Sequence, residues 1–190
     1  MISDHLLMKE VRDGDTRKLA VLFERYHKAL FHFFVHMNGD RDLSEDLVQD
    51  VFFRMLRYRH TYDPSHSFTA WMYQIARNAS VDHARKRKPE VPIAGGSMEE
   101  EGTTNHEPVS EIPAADEQLH KQQELKLLRQ ALDRLPEEKR EILILSRFQN
   151  LKYEEIAQVL GCELGTVKVR VYRATRALGE IYFQLAEARA

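Results

Sequence analysis

The stretch Tyr153 to Leu178 constrains this chain more than any other. Ile156, Ala157 and Leu160 mark the buried side of a short helix. Gly161 then interrupts the pattern, where the chain needs a positive φ that glycine adopts without steric cost. Thr166 is placed to cap a second helix with its hydroxyl. Val167, Val171, Ala174 and Leu178 recur at helical spacing and form one apolar stripe. The opposite face carries Lys168, Val169, Tyr172, Arg173 and Arg176. Four basic residues fall between Lys168 and Arg176 with no acid among them. This is the layout of a helix-turn-helix whose second helix enters the DNA major groove. An ordinary amphipathic helix pair with a solvated basic face is the plainer alternative.

The remaining chain reads as all-α: two small helical domains joined by a flexible acidic linker, with the helix-turn-helix in the second. Helices are expected from Asp4 to Val11, about Thr16 to Met37, about Ser44 to Arg57, and Ser67 to Lys88, where Pro89 stops the last. Helix resumes from Leu119 to about Arg134, and Leu135-Pro136-Glu137-Glu138 opens another, with proline at its first turn and acids at its positive end. Domain boundaries fall at residues 1–88, 89–118 and 119–190. The net charge of −2 hides a partition. Residues 1–88 hold 15 basic against 12 acidic residues, residues 89–118 hold 8 acids and no Lys or Arg, and residues 119–190 hold 13 basic against 10 acidic. Two mildly basic domains therefore flank an acidic connector, and a near-neutral total does not argue against nucleic-acid binding.

No apolar run is long enough to span a membrane, no secretory signal is visible at the start, and one cysteine excludes an internal disulfide and a Cys-cluster metal site. These features fit a reducing cytoplasm. His32 and His36 lie one helical turn apart but show no third ligand, so no metal and no cofactor is expected. Cys162 reads as a small buried apolar residue. Neither a phosphate loop nor a nucleophile–base pair emerges, so no enzyme is expected.

Two faces of the first domain carry polar signals. On the Ser44–Arg57 helix, Leu47, Val48, Val51, Phe52 and Met55 form the apolar side, while Asp46, Gln49, Asp50 and Arg57 gather opposite with Phe53 among them. An aromatic amid polar residues marks either a partner surface or a ring lying under a loop. The next helix buries Phe68, Trp71, Met72, Ile75 and Ala79, and presents Tyr73, Gln74, Arg77, Ser80, Arg85 and Arg87. Interleaved rings and cations suit single-stranded DNA. The helix dipole would favour the terminal cations in any case.

Three ordered stretches carry a family resemblance: Ser44-Glu45-Asp46-Leu47-Val48-Gln49-Asp50-Val51-Phe52; Phe68-Thr69-Ala70-Trp71-Met72-Tyr73-Gln74-Ile75-Ala76-Arg77-Asn78; and Leu135-Pro136 followed by Tyr153-Glu154-Glu155-Ile156-Ala157 and Gly165-Thr166-Val167-Lys168-Val169-Arg170. Together they resemble a bacterial RNA polymerase sigma factor of the extracytoplasmic-function, or group IV, type. The resemblance implies region 2 near residues 16–88 and region 4 near 119–185. It implies a subunit without catalysis of its own that binds core RNA polymerase, directs initiation at selected promoters and helps melt the DNA. Asp46, Gln49, Asp50, Phe53 and Arg57 would dock on the β′ clamp coiled coil, and region 4 on the β flap. The loop with Tyr62, Asp63 and His66, together with Tyr73, Arg77, Ser80, Arg85 and Arg87, would hold the melted minus-ten element with a base flipped out. Thr166, Lys168, Val169, Arg170, Tyr172, Arg173 and Arg176 would meet the minus-thirty-five element. An anti-sigma factor is a common partner in such a family. The chief rival is a stand-alone helix-turn-helix regulator with an N-terminal helical sensor domain.

Val169 departs from the small polar residue often found in that family at its position. It can meet a thymine methyl but cannot hydrogen-bond a base edge. The linker of 30 residues reaches ~100 Å when extended but only ~30 Å as a coil. Promoter elements two DNA turns apart are separated by about 70 Å, so the linker reaches without setting the spacing. Glu99, Glu100 and Glu101 suit a plain tether, a nucleic-acid mimic in a basic polymerase channel, or a mask for the basic DNA faces.

Overall fold

The computed structural model describes residues 2–87 and 115–188, with side chains at all of these except 87 and 115–121. Every regular element among them is helical: α1 (Asp4–Arg12), α2 (Lys18–Asn38), α3 (Arg41–Arg57), a 3₁₀ turn (Arg59–Thr61), α4 (Phe68–Arg87), α5 (Ala115–Asp133), α6 (Glu137–Leu143), a π-helical turn (Ile144–Phe148), α7 (Tyr153–Leu160) and α8 (Leu164–Glu187). The acidic run Glu99–Glu101 lies outside the described residues. Helix α5 begins at Ala115, inside the stretch expected as linker.

Local chemistry sets most of the ends. Gly39 closes α2 at φ 75° and Gly161 closes α7 at φ 61°, both in the left-handed region. Helix α3 starts a turn earlier than its apolar pattern suggests, because the Asp40 carboxylate accepts from the Leu43 N–H at 3.0 Å. Ser44 is therefore inside the helix and buried. Thr166 does not cap the recognition helix. Glu163 holds the N-cap position, so Thr166 lies in the first turn.

In the first domain α2 packs on α3, α3 on α4, and α1 lies across α2. Asp4 fastens α1 by accepting from Arg25 at 2.5 Å and from the Tyr26 hydroxyl at 2.7 Å. In the second, α8 packs against α5, α6 and α7. Its stripe of Val167, Val171 and Ala174 is buried.

The two domains do not stand apart. Helix α7 packs on α4, and the π turn and α6 pack on α2. One apolar cluster runs from Leu7 in α1 through Phe33, Phe34 and Tyr73 to Ile144, Leu145 and Ala174. Two devices make this closure possible. The π turn widens the backbone, with Gln149 N–H bonding Ile144 C=O five residues back at 2.9 Å. That turn brings the Phe148 ring to 4.5 Å from the His36 ring. Arg140 reaches across to donate to the Met37 carbonyl at 2.9 Å, a cation at the negative end of α2.

Candidate nucleic-acid and polymerase interface

The recognition face is open. Lys168, Val169, Arg170, Tyr172, Arg173 and Arg176 are all exposed on α8, with Val169 at 47% and Tyr172 at 68%. Thr166 is half-buried. Arg176 pairs with Glu180 at 2.9 Å, a solvated i,i+4 pair of small energetic weight. The helical wheel placed these side chains outward, and they stay so because α5, α6 and α7 pack on the other side of α8.

The α3 face is also open. Phe53 is 62% exposed, and Asp46, Gln49 and Arg57 are exposed beside it. Asp50 is half-covered, and its carboxylate accepts from Arg54 Nε at 2.9 Å. Arg54 also donates to Asp82 on α4 at 2.6 Å, tying α3 to α4. The Arg57 guanidinium lies 5.6 Å from the Tyr58 ring centre. Among the described residues no loop folds over Phe53, so an exposed ring is left on a polar face.

The expected minus-ten face is arranged differently. Tyr62 is 2% exposed and belongs to the core. Its ring packs against Trp71 at 5.2 Å, and its hydroxyl lies 3.0 Å from His5 Nδ1. Burial raises its pKa. A tyrosine in a polar loop gave no sequence signal that α1 would fold over it. Asp63 and His66 remain exposed. The Asp63 carboxylate accepts from the Ser65 N–H at 2.8 Å and lies 3.0 Å from His66 Nδ1, so the loop is ordered from within. The Ser65 backbone bond, with its hydroxyl and the nearby His66, holds the Asp63 carboxyl below its ordinary value. With Thr61, Ala70, Trp71 and Gln74 these residues line a cavity of about 340 Å³. Gln158, from α7 of the second domain, closes one side of it.

Tyr73 is buried as well, at 3% exposure. The wheel placed it outward, but the wheel knows only one helix. Its ring lies 5.4 Å from Phe33, and its hydroxyl donates to Gln149 Oε1 of the second domain at 2.7 Å. Arg77 donates from Nε to Glu141 Oε1 at 2.9 Å. Burial pushes the Glu141 carboxyl up, and the Arg77 guanidinium pulls it partly back. Ser67 and Thr69, at the start of α4, donate to Glu155 Oε1 at 2.6 and 2.5 Å. The other oxygen of Glu155 accepts from the Lys152 N–H at 3.0 Å, capping its own helix. Burial raises the Glu155 pKa, but the two hydroxyls and this N–H more than offset it, so the group stays below its ordinary value. Ser80 is half-buried, Arg85 is exposed, and the Arg87 side chain lies outside the described residues.

The sequence reading missed Glu141, Gln149 and Glu155. Glu155 carried one usable signal, since an acid in the first turn of a helix can reach back to free N–H groups. Glu141 and Gln149 carried none. Among the described residues no group of three His, Cys, Asp or Glu could hold a metal ion, and no helix is long and apolar enough to cross a membrane.

A first domain whose α3 exposes an aromatic ring on a polar face, followed by a helix-turn-helix with an exposed basic face, has the layout of a two-region DNA-directing factor. Residues 22–90 match Sigma-70 region 2, and residues 125–178 match Sigma-70 region 4. The chain is 34% identical over 156 residues to the ECF RNA polymerase sigma factor EcfG of Rhodopseudomonas palustris, covering 80% of this chain and 77% of the relative. It is 28% identical over 172 residues to the ECF sigma factor SigW of Bacillus subtilis, covering 90% and 92%. Among solved structures, the sigma factor RpoE of Bartonella quintana, crystallised with the anti-sigma factor NepR, superposes with a TM-score of 0.67. That match has 27% identity and covers 85% of this chain and 94% of that one. The protein belongs to the ECF family of RNA polymerase sigma factors.

Proposed function

We propose that this chain joins core RNA polymerase in the cytoplasm through the α3 face and reads a promoter at two points. The exposure of Phe53 among Asp46, Gln49 and Arg57 carries the docking assignment. A large ring on a polar face contributes contact area only when a partner covers it. The α8 face reads the upstream element in the major groove. The α4 face, with the cavity under the Asp63–His66 loop, holds the melted strand and one flipped base. Tyr73 and Arg77 serve that face once the second domain has moved away. Catalysis belongs to the polymerase.

The test is transcription in vitro with purified core polymerase over a genomic promoter library. Promoter-specific transcripts that depend on this chain are the expected result, and their absence rejects the proposal. A finer expectation concerns Arg173, which is exposed at the centre of the recognition face. Arg173→Ala should weaken use of the upstream element by about 1–3 kcal/mol, with loss of preference at one base position. Equal use of all upstream sequences by the variant and the parent would remove Arg173 from base readout.

The likeness to RpoE in its complex with NepR supports an anti-sigma partner for this chain too. Such a partner would grip the two domains in their closed arrangement and keep polymerase from the α3 face. Co-purification of a tight, polymerase-excluding partner from the source cell tests this.

A further inference from the structure

Glu141, Glu155 and Gln149 of the second domain hydrogen-bond to groups on the melted-strand face, and two of those three residues are acids. The Glu141 carboxylate meets the Arg77 guanidinium. The Glu155 carboxylate meets the Ser67 and Thr69 hydroxyls, where α4 begins and its dipole favours an anion. A guanidinium and a pair of hydroxyls at a helix start are the groups proteins use to hold DNA phosphates. Between them, the Tyr73 hydroxyl donates to Gln149, and Gln158 walls the cavity beneath the loop. The recognition face of α8 is not involved and stays exposed.

We infer that Glu141 and Glu155 act as internal stand-ins for two phosphates of the melted strand. In the closed chain they occupy the donors that would otherwise bind DNA. The free protein thus refuses single-stranded DNA by itself, before any partner acts. Upstream duplex can still meet α8, so the closed arrangement silences one reading face and leaves the other open. Single-stranded DNA and the second domain compete for the same donors, and separating the domains exchanges two carboxylates for two phosphates. This inference rests on the assignment of the α4 face to the melted strand.

The experiment compares the full-length chain with the double variant Glu141→Gln and Glu155→Gln, using a fluorescent pool of random 12-nucleotide single strands. Glutamine keeps the shape and an acceptor oxygen but removes the charge. The double variant should bind about tenfold tighter, the gain expected if roughly nine-tenths of the parent is closed. Its radius of gyration in solution should increase. Adding Arg77→Ala and Thr69→Val should abolish the gain. Because Glu141 is buried, Glu155→Gln alone serves as a second variant and should shift binding in the same direction by a smaller factor. Unchanged binding by both variants overturns the inference. Tighter binding that ignores Arg77 and Thr69 also overturns it, because the DNA would then sit elsewhere. Transcription with core polymerase separates this failure from that of the family-level function, which the glutamine variants should retain.

Discussion

Tyr62→Ala should cost the first domain about 3–5 kcal/mol of stability, the range for deleting a large ring from a packed core. At 2% exposure, Tyr62 fills the space between α1 and α4. Its neighbours Trp71, Phe68 and His5 would line the hole left behind. Tyr62→Phe keeps the ring and loses only the contact with His5 Nδ1, so about 1 kcal/mol is expected. Denaturant unfolding of both variants checks the ordering. A loop tyrosine contacting DNA would give the opposite pattern, with unchanged stability in both and weakened strand binding. The same observation fixes what α1 does. Leu7, Met8 and Val11 are buried, so this helix covers the base of the loop that carries Asp63 and His66 and holds it in shape.

Phe53→Ala should weaken binding to core polymerase by about 2 kcal/mol or more, roughly thirtyfold, as expected for an aromatic anchor at the centre of an interface. The ring is 62% exposed, and the apolar side of α3 is filled by Leu47, Val48, Val51, Phe52 and Met55. Stability should therefore change little. The measurement is a titration of labelled chain with core enzyme, accompanied by thermal melting. Unchanged affinity would remove the Phe53 face from the interface. Asp50 should matter less than Phe53, because Arg54 already engages its carboxylate.

Where the sequence reading succeeded, the cause was local. The recognition helix shows its apolar stripe and basic face because each side chain's direction follows from 3.6-residue periodicity. Gly161 announces its turn because few residues accept φ near +60°. Phe53 stands out because an aromatic residue breaks a polar face. Even the errors at helix ends are local: Asp40 is a stronger cap than the pattern implied, and Glu163 occupies the position given to Thr166.

The exposure of the α4 face was misread for the opposite reason. A wheel drawn for α4 assigns Tyr73 to the outside, yet its ring already meets Phe33 of α2 within the first domain. The second set of helices then packs over the rest of that face. The partners of Tyr73, Arg77, Ser67 and Thr69 lie 64 to 88 residues away in the chain. Glu141 and Glu155 look like ordinary solvated acids near helix starts. Only folding places one against a guanidinium and the other between two hydroxyls.

The sequence by itself determined an all-helical chain with a helix-turn-helix, a helix with an aromatic ring on its polar face, and the polar residues of each helix face. Those properties depend on periodicity, capping and side-chain type within a turn or two. The tertiary structure alone decided which of those residues are free. Tyr62 went to the core under α1, Tyr73 and Arg77 went to partners in the second domain, and the α8 and α3 faces stayed open. The physical reason is that exposure is a property of what packs against a residue. Contacts between elements far apart in the chain depend on shape and charge matched across both surfaces, which neither helix records in its own sequence.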